Sequence, residues 1–205
     1  MLKKILIGFI VLTTMATTAK AEDSVPAIVS QAQEYLDNLS TAEARFVQTA
    51  WDGAQIVGTF YLNRPGRLRF EYDAPIEDFI VADGTFIYFY DSQIQEQSSA
   101  PIGQTLAYFL LRDDITLNDG KEVQIVEIAE KGNLTTIKLE RIDDPGAGSL
   151  TLGFSQEPFE LKKWRVVDAQ DMITEVELFK LQPNVELDKE LFIYKNPHKK
   201  RGYNQ

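Results

Sequence analysis

The chain has 205 residues, with 31 acidic side chains against 21 basic ones, one histidine and no cysteine. A formal charge of −10 lacks the basic footprint that nucleic acid or an anionic membrane surface requires. Without cysteine there is no disulfide, no thiolate nucleophile and no site for lipid on an N-terminal cysteine, so the fold must rest on its core.

Lys3 and Lys4 precede an apolar run over 5–12, and small residues then lead to Ala19-Lys20-Ala21. That order is the one of a secretory signal peptide, and the apolar run is far short of the ~20 residues a membrane span needs. Cleavage after Ala21 is expected, which leaves 22–205 as a single exported domain. Asp23 or Ser24 can cap a helix and Pro26 suits its first turn. Val25, Ile28, Val29, Ala32, Tyr35, Leu36 and Leu39 recur at helical spacing after it.

From residue 43 onward the pattern is one of strands, over about 43–50, 55–62, 67–73, 77–82, 86–91 and 93–98. Asp52-Gly53, Arg64-Pro65-Gly66, Asp73-Ala74-Pro75 and Asp83-Gly84 separate them, and turns this short make an antiparallel meander. Phe60, Leu62 and Arg64 share one parity, and Leu68, Phe70 and Tyr72 share one face of the next strand. An arginine therefore ends an apolar row beside a hairpin. Ile102, Leu106, Phe109 and Leu110 then mark one face of a short helix over 101–112. Strand patterns resume at about 122–130, 133–141, 149–154, 160–167 and 173–180. Eleven strands with one helix before them and one in their midst predict a mainly β (α+β) fold. An open antiparallel sheet of that size must curl, with the helices over its apolar face.

Residue types that carry chemistry are scarce. His198 lies in a basic tail with Lys199, Lys200 and Arg201, where a surface role fits better than a metal or a general base. Asp113-Asp114 and Asp143-Asp144 lack the alternating oxygen ligands of a calcium loop. Neither a Gly-rich phosphate loop nor a nucleophile elbow occurs. No cofactor, metal or catalysis is expected. Aromatic residues concentrate in the first half, and Phe86, Ile87, Tyr88, Phe89 and Tyr90 make a strand that is apolar on both faces. A well-filled core explains this, and so does a lining for an apolar ligand, because strands buried on one side normally alternate. The candidate lining is Phe60, Leu62, Leu68, Phe70, Tyr72, Phe86 and Tyr88.

The stretch Gly58-Thr-Phe-Tyr-Leu-Asn-Arg-Pro-Gly-Arg-Leu-Arg-Phe-Glu-Tyr-Asp-Ala-Pro75 resembles the LolA family of periplasmic outer-membrane lipoprotein carriers. Further matches are Ala44-Arg45-Phe46-Val47-Gln48, Val81-Ala82-Asp83-Gly84 before a strand ending Tyr90-Asp91, and Gln104-Thr105-Leu106-Ala107. The resemblance implies an unclosed β half-barrel whose helical lid covers an apolar cavity. It implies acylated lipoproteins as cargo, an inner-membrane Lol ABC transporter as donor and, where present, the outer-membrane receptor LolB as acceptor. Arg64, before Pro65, falls where the family places the arginine that holds the lid closed. Leu68 falls at a cavity hydrophobe, and Ile102, Leu106, Phe109 and Leu110 fall in the lid. The expected protein is a periplasmic monomer. The alternative is a sensor or regulatory binding protein of the same half-barrel architecture.

Overall fold

The computed structural model describes residues 26–197. The expected signal peptide, the caps Asp23 and Ser24, His198 and the basic run 199–201 lie outside the described residues. Helix α1 (Ala27–Asn38) begins directly after Pro26, whose fixed φ suits a helix start. It buries Val29, Ala32 and Leu36, which recur at i, i+3 and i+7 and so form one stripe.

Eleven strands follow: β1 (Thr41–Thr49), β2 (Gln55–Asn63), β3 (Arg67–Tyr72), β4 (Phe79–Asp83), β5 (Phe86–Asp91), β6 (Glu96–Pro101), β7 (Val123–Lys131), β8 (Leu134–Arg141), β9 (Ser149–Gln156), β10 (Phe159–Val167) and β11 (Ile173–Pro183). They form a single sheet in the order β6-β5-β4-β3-β2-β1-β11-β10-β9-β8-β7, with every neighbouring pair antiparallel. Two meanders are thus stitched together where β1 pairs with β11, Phe46 opposite Leu178. β6 and β7 stay at the two edges, so the half-barrel is open. Those edge strands are consecutive in sequence, and the chain between them, residues 102–122, carries the second helix.

The expected continuous helix over 101–112 is corrected by the structure. A 3-10 turn, Ile102–Gln104, is followed by extended backbone at Thr105 (φ −114°, ψ 157°) and only then by helix α2 (Tyr108–Leu111). A run this short cannot sustain a helix on its own, and packing rather than propensity sets its shape.

Register explains the inner face. Phe60, Phe70, Ile80 and Phe89 lie opposite one another across β2 to β5, and Leu62, Leu68, Ala82 and Ile87 form the next row. Across the other meander Leu152 faces Trp164 and Trp164 faces Val176. α1 packs into this second half, where the Tyr35 ring meets Phe154 and Phe159 edge-on at 5.9 Å each. Phe154, Ile137, Leu139 and Leu152 around it are fully buried.

Part of the outer face of the first meander is covered too. A 3-10 turn at Lys189–Phe192 buries Phe192, and Arg69 donates to the Leu191 carbonyl at 3.4 Å. Tyr194 stacks on Tyr88 with centroids 4.4 Å apart, and Phe79 stacks on Tyr90 at 5.2 Å. This cover is the reason β5 is apolar on both faces.

Close strand approach places one glycine. A Cβ at Gly58 would lie 2.2 Å from the Glu71 carbonyl oxygen and 2.8 Å from the Phe46 ring. Gly58→Ala is therefore expected to cost about 1–3 kcal/mol of stability through overpacking. The effect should read as a lower urea midpoint with an unchanged slope.

Candidate functional site

The concave face of the first meander does not fill itself. A cavity of about 480 Å³ lies between β2 to β5 on one side, Leu150, Trp164, Val166 and Val176 on the other, and the lid segment above. Its wall begins with Phe60, Leu68, Phe70, Ile80, Ile87 and Phe89. Phe60 packs against Phe70 at 5.0 Å and against Trp164 at 5.4 Å. Leu106 and Leu110, four residues apart, supply the roof together with Ala107. Polar groups enter at the rim through Gln48, Arg141, Asp168 and Thr174. The volume falls within the ~300–1,000 Å³ of ordinary ligand pockets.

Of the candidate lining residues, Phe60, Leu68 and Phe70 are in the wall. Leu62 is 5% exposed but sits in the packed core outside the lining. Tyr72 packs its ring on Phe46 at 5.5 Å and donates its hydroxyl to Gln48 at 2.9 Å. Burial there pushes its pKa up to about 12, against the opposing effect of the Gln48 bond. It lines a neighbouring concavity that shares Gln48, Ile80 and Phe89 with the main one.

Phe86 and Tyr88 require correction. They point to the outer face, where Phe86 is 39% exposed and Tyr88 lies on Tyr194. Ala82 opposite Ile87 and Ile80 opposite Phe89 put the other parity of β5 inside. Ile87, Phe89 and Trp164 were missed. Counting register from Phe70 across the Asp83-Gly84 turn would have found the first two. In the lid, Leu106 and Leu110 face the cavity, while Ile102 and Phe109 are buried in the core beside it.

Arg64 stands where the roof, α1 and the β2–β3 turn meet. Its side chain is only 6% exposed. Nη1 donates to the Leu36 carbonyl in the last turn of α1 and Nη2 to the Asp113 carbonyl at 3.3 Å. The last carbonyls of a helix have no partner within it and carry its negative dipole end, which suits a cation. Nη2 also lies 3.8 Å from Asp37 Oδ1, and Nε is buried without a partner. Burial lowers the Arg64 pKa, with Asp37 and Asp113 pulling it back up. Gly66 in the same turn donates its amide to the Leu111 carbonyl at 2.8 Å, closing off α2. The far side of the roof is fixed by Arg141, which donates to the Gly103 carbonyl at 2.7 Å.

The segment leading out of the lid is tied by Arg112 and Asp119. Arg112 donates to the Thr116 carbonyl and to Asp119 at 3.4 Å. Asp119 Oδ1 also accepts the amides of Lys121, Glu122 and Val123 at 2.8, 2.8 and 3.1 Å. A second concavity, about 470 Å³, lies on the outer face of β7 to β11, but Lys131, Lys138, Lys163, Arg165, Glu127 and Glu175 make it charged. Among the described residues, no group of three or more His, Asp or Glu side chains is placed to hold a metal ion.

An open antiparallel half-barrel wrapped around a lidded apolar cavity defines the class of this protein. Within that class the chain belongs to the LolA family: the model for "Outer membrane lipoprotein carrier protein LolA" matches residues 37–195. An outer-membrane lipoprotein carrier protein from Legionella pneumophila is 30% identical over 174 residues, covering 80% of this chain and 84% of its own. One from Methylococcus capsulatus is 24% identical over 176 residues, covering 82% and 83%. Among solved structures, a LolA superfamily protein from Nitrosomonas europaea is similar with a TM-score of 0.42 and 10% identity, over 81% of this chain and 97% of its own.

Asp119 gives a pH prediction. Its burial would raise the carboxyl pKa, but the amides of Lys121, Val123 and Glu122 and the Arg112 guanidinium outweigh it and bring the value to about 2. A lowered folded-state pKa contributes stability above the unfolded carboxylate value near ~4, and the contribution is lost as pH falls from there to about 2. Asp119→Asn should therefore be less stable than the parent at neutral pH. The difference in urea midpoint should shrink steadily below pH ~4.

Proposed function

We propose that this chain is a periplasmic carrier that takes acyl chains of lipoproteins into the cavity under α2 and yields them to the outer membrane. The observation that carries this reading is an apolar cavity under a short roof held by a few polar contacts, with the buried Arg64 where the roof meets α1. Residues 1–21 serve as a cleaved signal peptide, and 22–205 form the mature single domain, acting as a monomer. The donor is the inner-membrane Lol ABC transporter, and the acceptor is LolB where it is present.

The physics of the cargo sets the requirement. Each methylene costs about 0.8 kcal/mol to expose to water, so a whole acyl chain needs a covered path. A cavity perfectly matched to the chain would never release it. Arg64 supplies the opposing weight. In the closed protein its terminal nitrogens bond to the Leu36 and Asp113 carbonyls, and bonds from a charged donor contribute about 1.5–3 kcal/mol each. Seating an acyl chain lifts Leu106 and Leu110 and gives those bonds up, which lowers net affinity. Return of the bonds on release then favours hand-off without an energy source at the acceptor. Phe60, Leu68, Phe70, Ile80 and Trp164 form the fixed side of the site and the roof the moving side.

The latch role predicts a particular failure. Arg64→Leu should copurify with lipoproteins from the periplasm, yet should transfer far less of them to outer-membrane vesicles than the parent does. Transfer at the parent's rate would overturn the latch. Intact mass of the protein recovered from the periplasm should correspond to a chain beginning at Glu22.

A further inference from the structure

The segment after α2 is held in a way that Arg64 alone does not explain. Gln33 and Asp37 are one helical turn apart on α1, so their side chains share a face. The Leu117 amide donates to Gln33 Oε1 at 3.3 Å, and the Ile115 amide donates to Asp37 Oδ1 at 3.1 Å. The Ile115 and Leu117 side chains, each 1% exposed, enter the core. Residues 115–117 thus form a strap alongside α1, with alternate amides bonded to helix side chains where a neighbouring strand would otherwise be needed. The same Asp37 oxygen lies 3.8 Å from Arg64 Nη2. That distance is too long for a hydrogen bond but allows an ion pair. Among the described residues Asp37 is the one carboxylate within ion-pair reach of Arg64.

Resting on the carrier reading above, we propose that Asp37 is a positioning residue of the latch, the place to which Arg64 moves when the roof opens. A guanidinium that leaves the Leu36 and Asp113 carbonyls while still half sunk in the fold would be left short of partners, which is strongly unfavourable. Asp37 is already fixed by the Ile115 amide and half exposed, so it can receive Arg64 at the solvent edge where little desolvation is required. The guanidinium exchanges two carbonyls for one carboxylate, with no change in its protonation. Ile115, Leu117 and α1 stay together throughout, and the part that moves is the roof over 102–111 with Asp113 at its end.

The test is a double-mutant cycle read through binding of a fluorescent long-chain fatty acid. Asp37→Asn keeps an oxygen for the Ile115 amide and removes the charge. It should weaken binding about two- to fivefold in the parent, the scale of a partly exposed ion pair, and should change nothing in an Arg64→Leu background. A purely structural role would weaken both backgrounds alike and would overturn the proposal, as would no effect in either. Arg64→Leu by itself should bind more tightly than the parent. If it binds equally, the latch reading itself falls. If it binds more tightly while Asp37→Asn is silent, only the role of Asp37 falls. Hydrogen exchange gives an independent check: the Ile115 and Leu117 amides should stay protected in both empty and fatty-acid-loaded protein. Their deprotection on loading would rule out a fixed strap.

Discussion

An antiparallel sheet of eleven strands that curls without closing leaves a concave apolar face and two free edges. This constraint governs the rest of the molecule. One half of the concavity is filled by α1, whose Leu36 and Tyr35 pack onto the inner face of β8 to β10. The other half is spanned by the only chain that joins the two edges, residues 102–122. That chain crosses above the cavity and does not pack as one regular element. It is accordingly broken into a 3-10 turn, an extended residue and a single turn of helix. Its hold on the fold is a small set of polar contacts at Arg64, Gly66 and Arg141.

Those contacts leave hydrogen-bonding capacity unused at Arg64. Arg64 is nearly buried, yet one of its nitrogens has no partner and its carboxylate neighbour stands at the edge of contact. A fully satisfied guanidinium would lock the roof, and a solvent-exposed one would contribute almost nothing. The aromatic wall of Phe60, Phe70 and Trp164 is by contrast rigid, with rings meeting edge-on or tilted at 5.0–6.0 Å. Wall and roof are held by different physics, one by packing and one largely by hydrogen bonds.

Most strand positions were legible because glycine, proline and aspartate punctuate the chain at the turns, as at Asp52-Gly53, Arg64-Pro65-Gly66 and Asp83-Gly84. The parity of Arg64 was legible too, since β2 alternates cleanly from Phe60 to Asn63 and Arg64 follows directly. β5 was the failure. Alternation carries information about facing only when one face is wet, and residues 189–197 keep both faces of this strand apolar, with Tyr194 on Tyr88. The true inner pair, Ile87 and Phe89, follows from cross-strand register instead, a long-range property. Trp164 escaped notice for a similar reason: it comes from the second meander and reaches the aromatic row only through the curl of the sheet. The strap contacts of Gln33 and Asp37 have no local signature at all, because they join residues 78 and 84 positions apart.

The placement of α1 in only one half of the half-barrel divides the labour of the sequence. The β7 to β11 side has Phe154, Ile137, Leu139 and Leu152 sealed beneath the helix, and its inner face is filled by the chain's own side chains. The β2 to β5 side has no such helix over it, and Phe60, Leu68, Phe70 and Ile87 serve both the core and the cavity wall. One continuous sheet thus carries a half sealed by a helix and a half left hollow.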